Sequence, residues 1–339
     1  MKRARGTYET FIRPLLFSLD AETAHHFTVA LLRLASQFDL ALRTLRAFQP
    51  PPKPKVLFGL NFPNPIGLAA GLDKNGVAIP AWAALGFGFI EIGTVTAKAQ
   101  PGNAKPRIFR LPKQQALINR LGFNNDGADA IARRLRRLRR SGRWPAVPVG
   151  INIGKSRATP LEQATDDYLY SFRLLQDFAD YIALNISSPN TPGLRELQEP
   201  RKLSDLLQAI GREPAGATKP ILVKISPDLL PTELNAIVAA CEENAVAGII
   251  ATNTTLDHSS IPTALDEEGG LSGAPVRQKS TTLVHEIAAK SAMPVIASGG
   301  IFDAQSAHEK FQAGAQLIQL YTGFVYRGPR LLREIMEAL

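Results

Sequence analysis

Amides and hydroxyls concentrate in one stretch of this chain, Asn185-Ile186-Ser187-Ser188-Pro189-Asn190-Thr191-Pro192-Gly193-Leu194-Arg195, which closes an apolar, β-prone run over 181–186. Asn185, Ser188 and Asn190 are neutral hydrogen-bonding groups of the kind that hold a polar heterocycle, and the Ser188 hydroxyl can carry a proton. A buried strand opening into such a loop is how α/β barrels present catalytic groups at the carboxyl end of their sheet.

Other apolar runs end in comparable loops. Ala69-Ala70-Gly71-Leu72-Asp73-Lys74 offers small residues where a flat ligand can approach the backbone, and Lys74 can meet an anionic group. Asn119-Arg120-Leu121-Gly122-Phe123-Asn124-Asn125 packs three asparagines around a Gly-Phe pair. Further runs end at Thr94, at Asn152, at Thr252-Asn253-Thr254-Thr255, at Ser298-Gly299-Gly300 and at Tyr321-Thr322-Gly323, and Gly269-Gly270-Leu271-Ser272-Gly273 lies between two of them. Glycine-rich turns after the last two strands of a barrel form its usual phosphate site. Lys224 lies inside the apolar run over 221–225, and burying an ammonium alone is costly, so it needs a partner. Flavin mononucleotide (FMN) satisfies both demands, with its phosphate at Gly300 and Tyr321–Thr322 and an electron-rich ring edge near Lys224.

The elements that must position these groups share one theme. Short apolar runs at 65–70, 89–94, 147–153, 181–186, 221–225, 248–252, 295–297 and 317–321 alternate with helix-length segments. Eight such units predict an α/β fold, a TIM (β/α)8 barrel over residues 56–339, rather than a doubly wound sheet. Residues 1–48 differ. Phe11, Ile12, Leu15, Leu16 and Leu19 share one helical face, Asp20 can cap a second helix, and Phe27, Leu31 and Leu34 recur at helical spacing. Two short amphipathic helices fit, and periodicity alone leaves a packed cap and a lipid-dipping or tunnel-guarding element equally open. Residues 49–55, Gln-Pro-Pro-Pro-Lys-Pro-Lys, read as a stiff linker.

Composition narrows the function classes. With 339 residues, 45% hydrophobic and 20% charged, the chain suits one barrel plus an appendage. A lone cysteine, Cys241, excludes a disulfide framework and reads as a buried structural thiol. The histidines lack ligand spacing, so no metal site is expected. Gly150-x-x-x-Gly154-Lys155-Ser156 is one residue short of a phosphate-loop motif, and no G-x-G-x-x-G follows a strand. Net charge is +9, part of it in the arginine run over 133–140. Leu135, Leu138 and Ile131 give that run a thin apolar seam, so it reads as a solvated helix face. Nucleic-acid binding lacks a supporting motif, whereas attraction to an anionic membrane surface is more plausible. No secretory leader and no spanning apolar run is predicted.

Several of these stretches together resemble dihydroorotate dehydrogenase: 69–74, Glu91-Ile92-Gly93-Thr94-Val95-Thr96, Lys105-Pro106-Arg107-Ile108-Phe109-Arg110, 119–125, 185–195, 251–255 and 269–273. The serine at 188 and the N-terminal extension resemble the class 2, quinone-dependent branch, since class 1 enzymes carry a cysteine base and lack the extension. Related flavin barrels that reduce pyrimidines use a cysteine acid, which is missing here.

The resemblance implies oxidation of (S)-dihydroorotate to orotate in pyrimidine (UMP) biosynthesis, with FMN as hydride acceptor. Ser188 would be the base that takes the C5 proton while a hydride leaves C6 for the flavin N5, with Phe123 and Thr191 beside a water path. Lys74, Asn119, Arg120, Leu121, Gly122, Phe123, Asn185, Asn190, Asn253 and Thr254 would surround the substrate, with Lys74 near its carboxylate. Ala70, Gly71, Thr94, Asn152, Asn185, Lys224, Thr252, Gly273, Gly300, Tyr321 and Thr322 would hold the flavin, Lys224 stabilising negative charge on it. His25, Arg107 and Tyr321 match residues of a quinone tunnel, so residues 1–48 become the membrane and tunnel element. The implied electron acceptor is ubiquinone or another membrane quinone. The implied location is peripheral, on the cytoplasmic face of the inner membrane of a bacterial cell, with no nucleic acid and no obligate protein partner.

Overall fold

The computed structural model describes residues 6–214, Gly216 and 218–339, so residues 1–5 of the expected N-terminal element lie outside the described residues. After a π-helical turn at Tyr8–Ile12 come helices α1 (Arg13–Ser18), α2 (Ala21–Ala35) and α3 (Asp39–Leu45). A hairpin is next, β1 (Lys55–Leu57) and β2 (Leu60–Phe62). The chain continues through β3 (Ile66–Leu68), α4 (Ile79–Ala84), β4 (Phe89–Val95), β5 (Ile108–Leu111), β6 (Ala116–Asn119), α5 (Ala128–Arg140), β7 (Val149–Ile153) and α6 (Ala164–Leu175). Then come β8 (Tyr181–Asn185), α7 (Pro200–Gly211), β9 (Ile221–Ile225), α8 (Pro231–Glu243), β10 (Gly248–Ala251) and β11 (Gly270–Gly273). The last elements are α9 (Arg277–Lys290), β12 (Val295–Ser298), α10 (Ala304–Gln312), β13 (Leu317–Leu320), α11 (Thr322–Arg327) and α12 (Arg330–Ala338).

Among the described residues, eight parallel strands close the expected barrel in the order β3-β4-β7-β8-β9-β10-β12-β13. Each of the eight predicted runs supplies one strand. They were legible because a parallel strand covered on both faces must be apolar along its whole length, and all seven residues of β4 and all five of β7, β8 and β9 are buried.

The barrel interior is layered, and the layering decides where chemistry can occur. The amino-terminal end is filled by Phe62, Phe89, Tyr181, Leu222, Ile250, Ile296 and Leu317, with the β1–β2 hairpin across it. Glycines make room for the rings. A Cβ at Gly67 would lie 2.2 Å from the Phe89 ring, and one at Gly150 would lie 2.0 Å from that of Tyr181. Above this plug sits Glu91, fully buried, accepting from Asn152 Nδ2 at 2.9 Å, Tyr181 Oη at 3.0 Å and Gln319 Nε2 at 2.6 Å. The register then pairs Asn185 with Lys224, so both side chains rise from the same inward row toward the carboxyl end.

Asp20 caps α2 as expected, accepting from the backbone N–H groups of Glu22 and Thr23, both at 3.0 Å. Three features depart from the sequence reading. Helix α3 was not expected; at seven residues it is too short for a periodic signal and is held by Leu42 against Ala81 and Ala84 of α4. Residues 105–125 and 269–273, read as loops, contain the antiparallel sheet β11-β6-β5. Its strands have four residues each, and β11 pairs with β6 across some 150 positions, Gly270 opposite Asn119, which no local pattern reveals. Finally, Lys55, at the end of the proline-rich stretch, already belongs to β1.

Candidate active site

Loops at the carboxyl ends of the strands converge on one cavity. Ala70, Gly71 and Lys74 enter from the loop after β3, and Thr94 from β4. Asn119, Leu121, Gly122 and Phe123 descend from β6, Asn185, Ser188 and Asn190 from β8, and Lys224 from β9. Thr252, Asn253 and Thr254 follow β10, Gly273 ends β11, Gly300 follows β12, and Tyr321 and Thr322 follow β13. Nearly all the residues expected around a bound ring system therefore line one space.

At one end the wall is bare backbone. Gly273 has φ +100° and Gly300 φ +73°, and a Cβ would fall 2.2 Å from the Gln115 carbonyl oxygen and 2.3 Å from Arg277 Cα respectively. Only glycine fits both the conformation and the space. Between them the Ser272 and Thr322 hydroxyls share a hydrogen bond of 2.8 Å. Such exposed amides and hydroxyls suit an anionic group.

In the middle of the cavity floor lies Lys224, only 5% exposed. Among the described residues its ammonium has no hydrogen bond, and burial pushes its pKa down against the opposing charge of Glu91. Gln319 Oε1 is likewise buried without a partner. A buried ammonium and amide oxygen left over at a cavity floor fit a polar, electron-rich ring.

The same cavity is lined by the candidate proton carrier. Ser188 Oγ accepts from the Asn190 backbone N–H at 3.3 Å, and its own proton is given to no described residue. Amides surround it. Asn190 Nδ2 reaches the Asn119 carbonyl at 3.0 Å, Asn253 Nδ2 reaches Asn185 Oδ1 at 3.2 Å, and Asn185 Nδ2 reaches Thr94 Oγ1 at 2.9 Å. The Thr191 hydroxyl is buried with no partner. That orphan group is where a water would be held.

Five expected site residues, Thr191 among them, do not line the cavity. Asn152 is fully buried inside the barrel, accepting from Thr94 Oγ1 at 2.6 Å and donating to Glu91, so it orients Thr94. The Arg120 side chain turns outward to Glu267 at 3.0 Å and stacks over Phe109 at 4.7 Å. Arg107 lies behind Lys74, clamped on Glu22 of α2 by its Nε (3.2 Å) and Nη2 (2.7 Å). Burial would raise the Glu22 carboxyl, but the Arg107 hydrogen bonds and charge outweigh it and hold the group at about 2. His25, one turn along α2, keeps some solvent contact yet sits deep among protein atoms. Burial, then the nearby Lys74 charge, pushes its imidazole down to about 3. Lys74 itself is lowered to about 8 by burial and by Arg107. His25 and Arg107 thus both lie near Lys74, which lines the cavity.

Sequence reasoning assigned no role to Glu91, Gln319 or Glu22. A charged residue inside an otherwise apolar strand was the available signal for Glu91, and it sits in a stretch already singled out for the resemblance. Gln319 offered a weaker version of the same signal. Nothing local distinguishes Glu22 from an ordinary first-turn acid.

A closed (β/α)8 barrel with an amide-rich mouth, a glycine cradle and a leftover buried ammonium defines a class, barrel enzymes that hold an extended polar ligand at the strand ends. Comparison with known proteins narrows it. The family profile for dihydroorotate dehydrogenase matches residues 54–339. Proteins named dihydroorotate dehydrogenase (quinone) from Gloeobacter violaceus and Chloroflexus aurantiacus are each 50% identical. The first alignment covers 96% of this chain and 92% of the relative, the second 100% and 98%. A crystal structure of the Eimeria tenella enzyme in complex with ferulenol superposes with a TM-score of 0.82 at 35% identity, covering 94% of this chain and 90% of that one. The chain belongs to the dihydroorotate dehydrogenase family and is an oxidoreductase.

Proposed function

We propose that this protein oxidises (S)-dihydroorotate to orotate with FMN and passes the electrons to a membrane quinone, in pyrimidine synthesis. The single observation that carries the reading is the Lys224 ammonium, buried without a hydrogen bond among the described residues in a cavity that Ser188 also lines. Gly71, Gly273, Gly300, Tyr321 and Thr322 would cradle the cofactor, with Lys224 and Thr94 lining the same space. Bound FMN supplies a hydride acceptor that a quinone can reoxidise.

The chain's own groups do the rest. Asn119, Asn185, Asn190, Asn253 and Thr254 orient the substrate ring by neutral hydrogen bonds, and Lys74 faces its carboxylate. The Ser188 oxygen takes the C5 proton. A serine hydroxyl is a weak base, so its own proton must leave at the same time. A water held by the unpartnered Thr191 hydroxyl would give that proton an exit. Arg120 and Asn152 act through neighbours rather than by contact.

For the quinone, α1 and α2 offer the route. Phe11, Leu15, Phe27, Leu31, Leu34 and Leu40 are exposed, Leu40 by 77%, an arrangement that water penalises and a lipid surface rewards. No helix among the described residues is long and apolar enough to cross a membrane. Peripheral attachment to the cytoplasmic face of a bacterial inner membrane fits these facts. His25 and Arg107, between that face and Lys74, would line the quinone path, and residues 1–48 would form this element beside the barrel.

The purified protein should be yellow. Anaerobic dihydroorotate should bleach it, and a quinone should restore the colour. A colourless protein that takes up no FMN would overturn the reading.

A further inference from the structure

Behind the cavity wall, one carboxylate ties together the loops that carry the candidate base and the candidate substrate clamp. Asp228 follows β9 and does not line the cavity. Its Oδ2 accepts from Arg195 Nη2 at 3.1 Å and from the Leu256 backbone N–H at 2.9 Å. Its Oδ1 accepts from Lys279 Nζ at 3.1 Å and from the Thr255 hydroxyl. Arg195 continues the link through Nε to the carbonyl oxygen of Ser187 at 3.4 Å, the residue before Ser188. Thr255 directly follows Asn253 and Thr254 and exchanges backbone hydrogen bonds of 3.0 and 2.8 Å with Leu271. Gln198 closes a second loop of the same network. Its Oε1 accepts from the Ser226 backbone N–H at 3.0 Å, and Ser226 Oγ accepts from that of Asp228 at 3.1 Å.

Four donors converge on the two carboxylate oxygens. A carboxylate can accept all four, whereas an amide would turn an NH₂ group against one or more of them. Burial alone would raise the Asp228 carboxyl, but the hydrogen bonds from Thr255, Leu256 and Lys279 and the charge of Arg195 outweigh it and hold it ionised. A fixed charge at this junction sets how far the Ser188 loop stands from the Asn253–Thr254 loop.

We propose that Asp228 is a positioning residue for proton removal: it holds the Ser188 loop, through Arg195, at a fixed separation from the loop that grips the substrate. The inference rests on the reading of Ser188 as base. Its effect falls on the first half-reaction alone, because the quinone side of the molecule shares none of these contacts.

The test uses the full chain with bound FMN. Asp228→Asn should slow single-turnover flavin reduction by dihydroorotate by about 30- to 100-fold, the scale of an ångström-level misplacement. The isotope effect from C5-deuterated substrate should grow. Quinone reoxidation of chemically reduced enzyme and the FMN content should stay within about twofold of wild type. Arg195→Gln should reproduce the pattern, and the double variant should be no slower than the slower single, since both cut one link. Should Asp228→Asn fail to fold, Arg195→Gln is judged by the same criteria. Reduction within about threefold of wild type, or equal losses in both half-reactions, overturns the proposal. A Ser188→Ala enzyme that reduces its flavin normally strikes the base assignment instead, and wild-type enzyme that dihydroorotate cannot reduce strikes the function itself, so the failures are distinguishable.

Discussion

The barrel mouth holds ammonium and amide groups away from water, whereas the N-terminal helices hold their largest apolar side chains in it. At the mouth, Lys224 is almost wholly buried and has no hydrogen bond among the described residues. On the helices, Phe11 is 71% and Leu15 69% exposed. Each arrangement costs free energy in the isolated chain, and each becomes favourable when a missing surface arrives. The costs differ in kind. A buried cation is specific about what relieves it, requiring an acceptor at a fixed place. An exposed apolar face accepts any low-dielectric surface. The contrast teaches that one chain can be selective for its small ligands and permissive about its lipid, because directional and non-directional forces occupy separate regions.

Perturbations of either region should separate the two behaviours. The largest expected effect is at the mouth. Ser188→Ala should lower single-turnover flavin reduction by about 10²–10⁴-fold while leaving FMN content unchanged. Near wild-type rates in stopped-flow absorbance would remove Ser188 from the base role. At the junction of the two regions, Glu22→Ala leaves the Arg107 charge buried without its carboxylate, though still bonded to the Pro101 and Asn103 carbonyls, which should destabilise the docking of α2 by about 3 kcal/mol. Denaturant titration should report an early loss of the helical element and slower quinone reoxidation, with reduction by dihydroorotate spared. An unchanged unfolding profile would mean that the clamp contributes nothing.

Acidity offers a finer cut. The Glu22 carboxyl sits below its usual range in the folded protein, so its contribution is present above its unfolded pKa and is lost as pH falls toward about 2. Lys74 runs the other way. Its pKa is lowered to about 8, so the mouth loses this positive charge as pH rises through that value. Affinity for orotate should weaken above it by about tenfold per pH unit, and Lys74→Met should abolish the slope. A titration of orotate affinity that stays flat up to pH about 10 would show that Lys74 does not meet the carboxylate. The smallest effect belongs to the permissive region. Leu15→Ser or Leu34→Ser should each weaken binding to lipid vesicles by about tenfold, the scale of one exposed apolar side chain, without altering flavin reduction. Unchanged co-sedimentation with vesicles would exclude that face from docking.

Much of the mouth was legible because its residues lie at the ends of strands that are themselves legible. Asn185, Ser188 and Asn190 come directly from β8, and Thr252, Asn253 and Thr254 from β10, so locating the strands located the groups. What escaped depends on pairing across long separations. The resemblance singled out Arg107 but not its ion pair with Glu22, 85 positions earlier. Arg120 sits in the same stretch as Asn119 and Phe123 and yet turns to Glu267, a partner 147 positions later that no local pattern reveals. The arginine run over 133–140 forms α5, where Arg136 and Arg139 lie over Phe178 and Arg139 also over Trp144. Those stacking contacts account for part of a charge run that composition left as surface decoration.

By itself the sequence determined the barrel, the loops that carry the amides and the serine, and an amphipathic element ahead of them. Those derive from hydrophobic periodicity and chain order, which are local. Only the tertiary structure decided that Glu91 would be saturated while Lys224 was left over, that Glu22 would anchor α2 to Arg107, and that Asp228 would join two loops behind the site. These outcomes depend on which polar groups find partners once the strands are in register. Hydrogen bonds and ion pairs form between residues that the closed barrel brings together, not between neighbours along the chain.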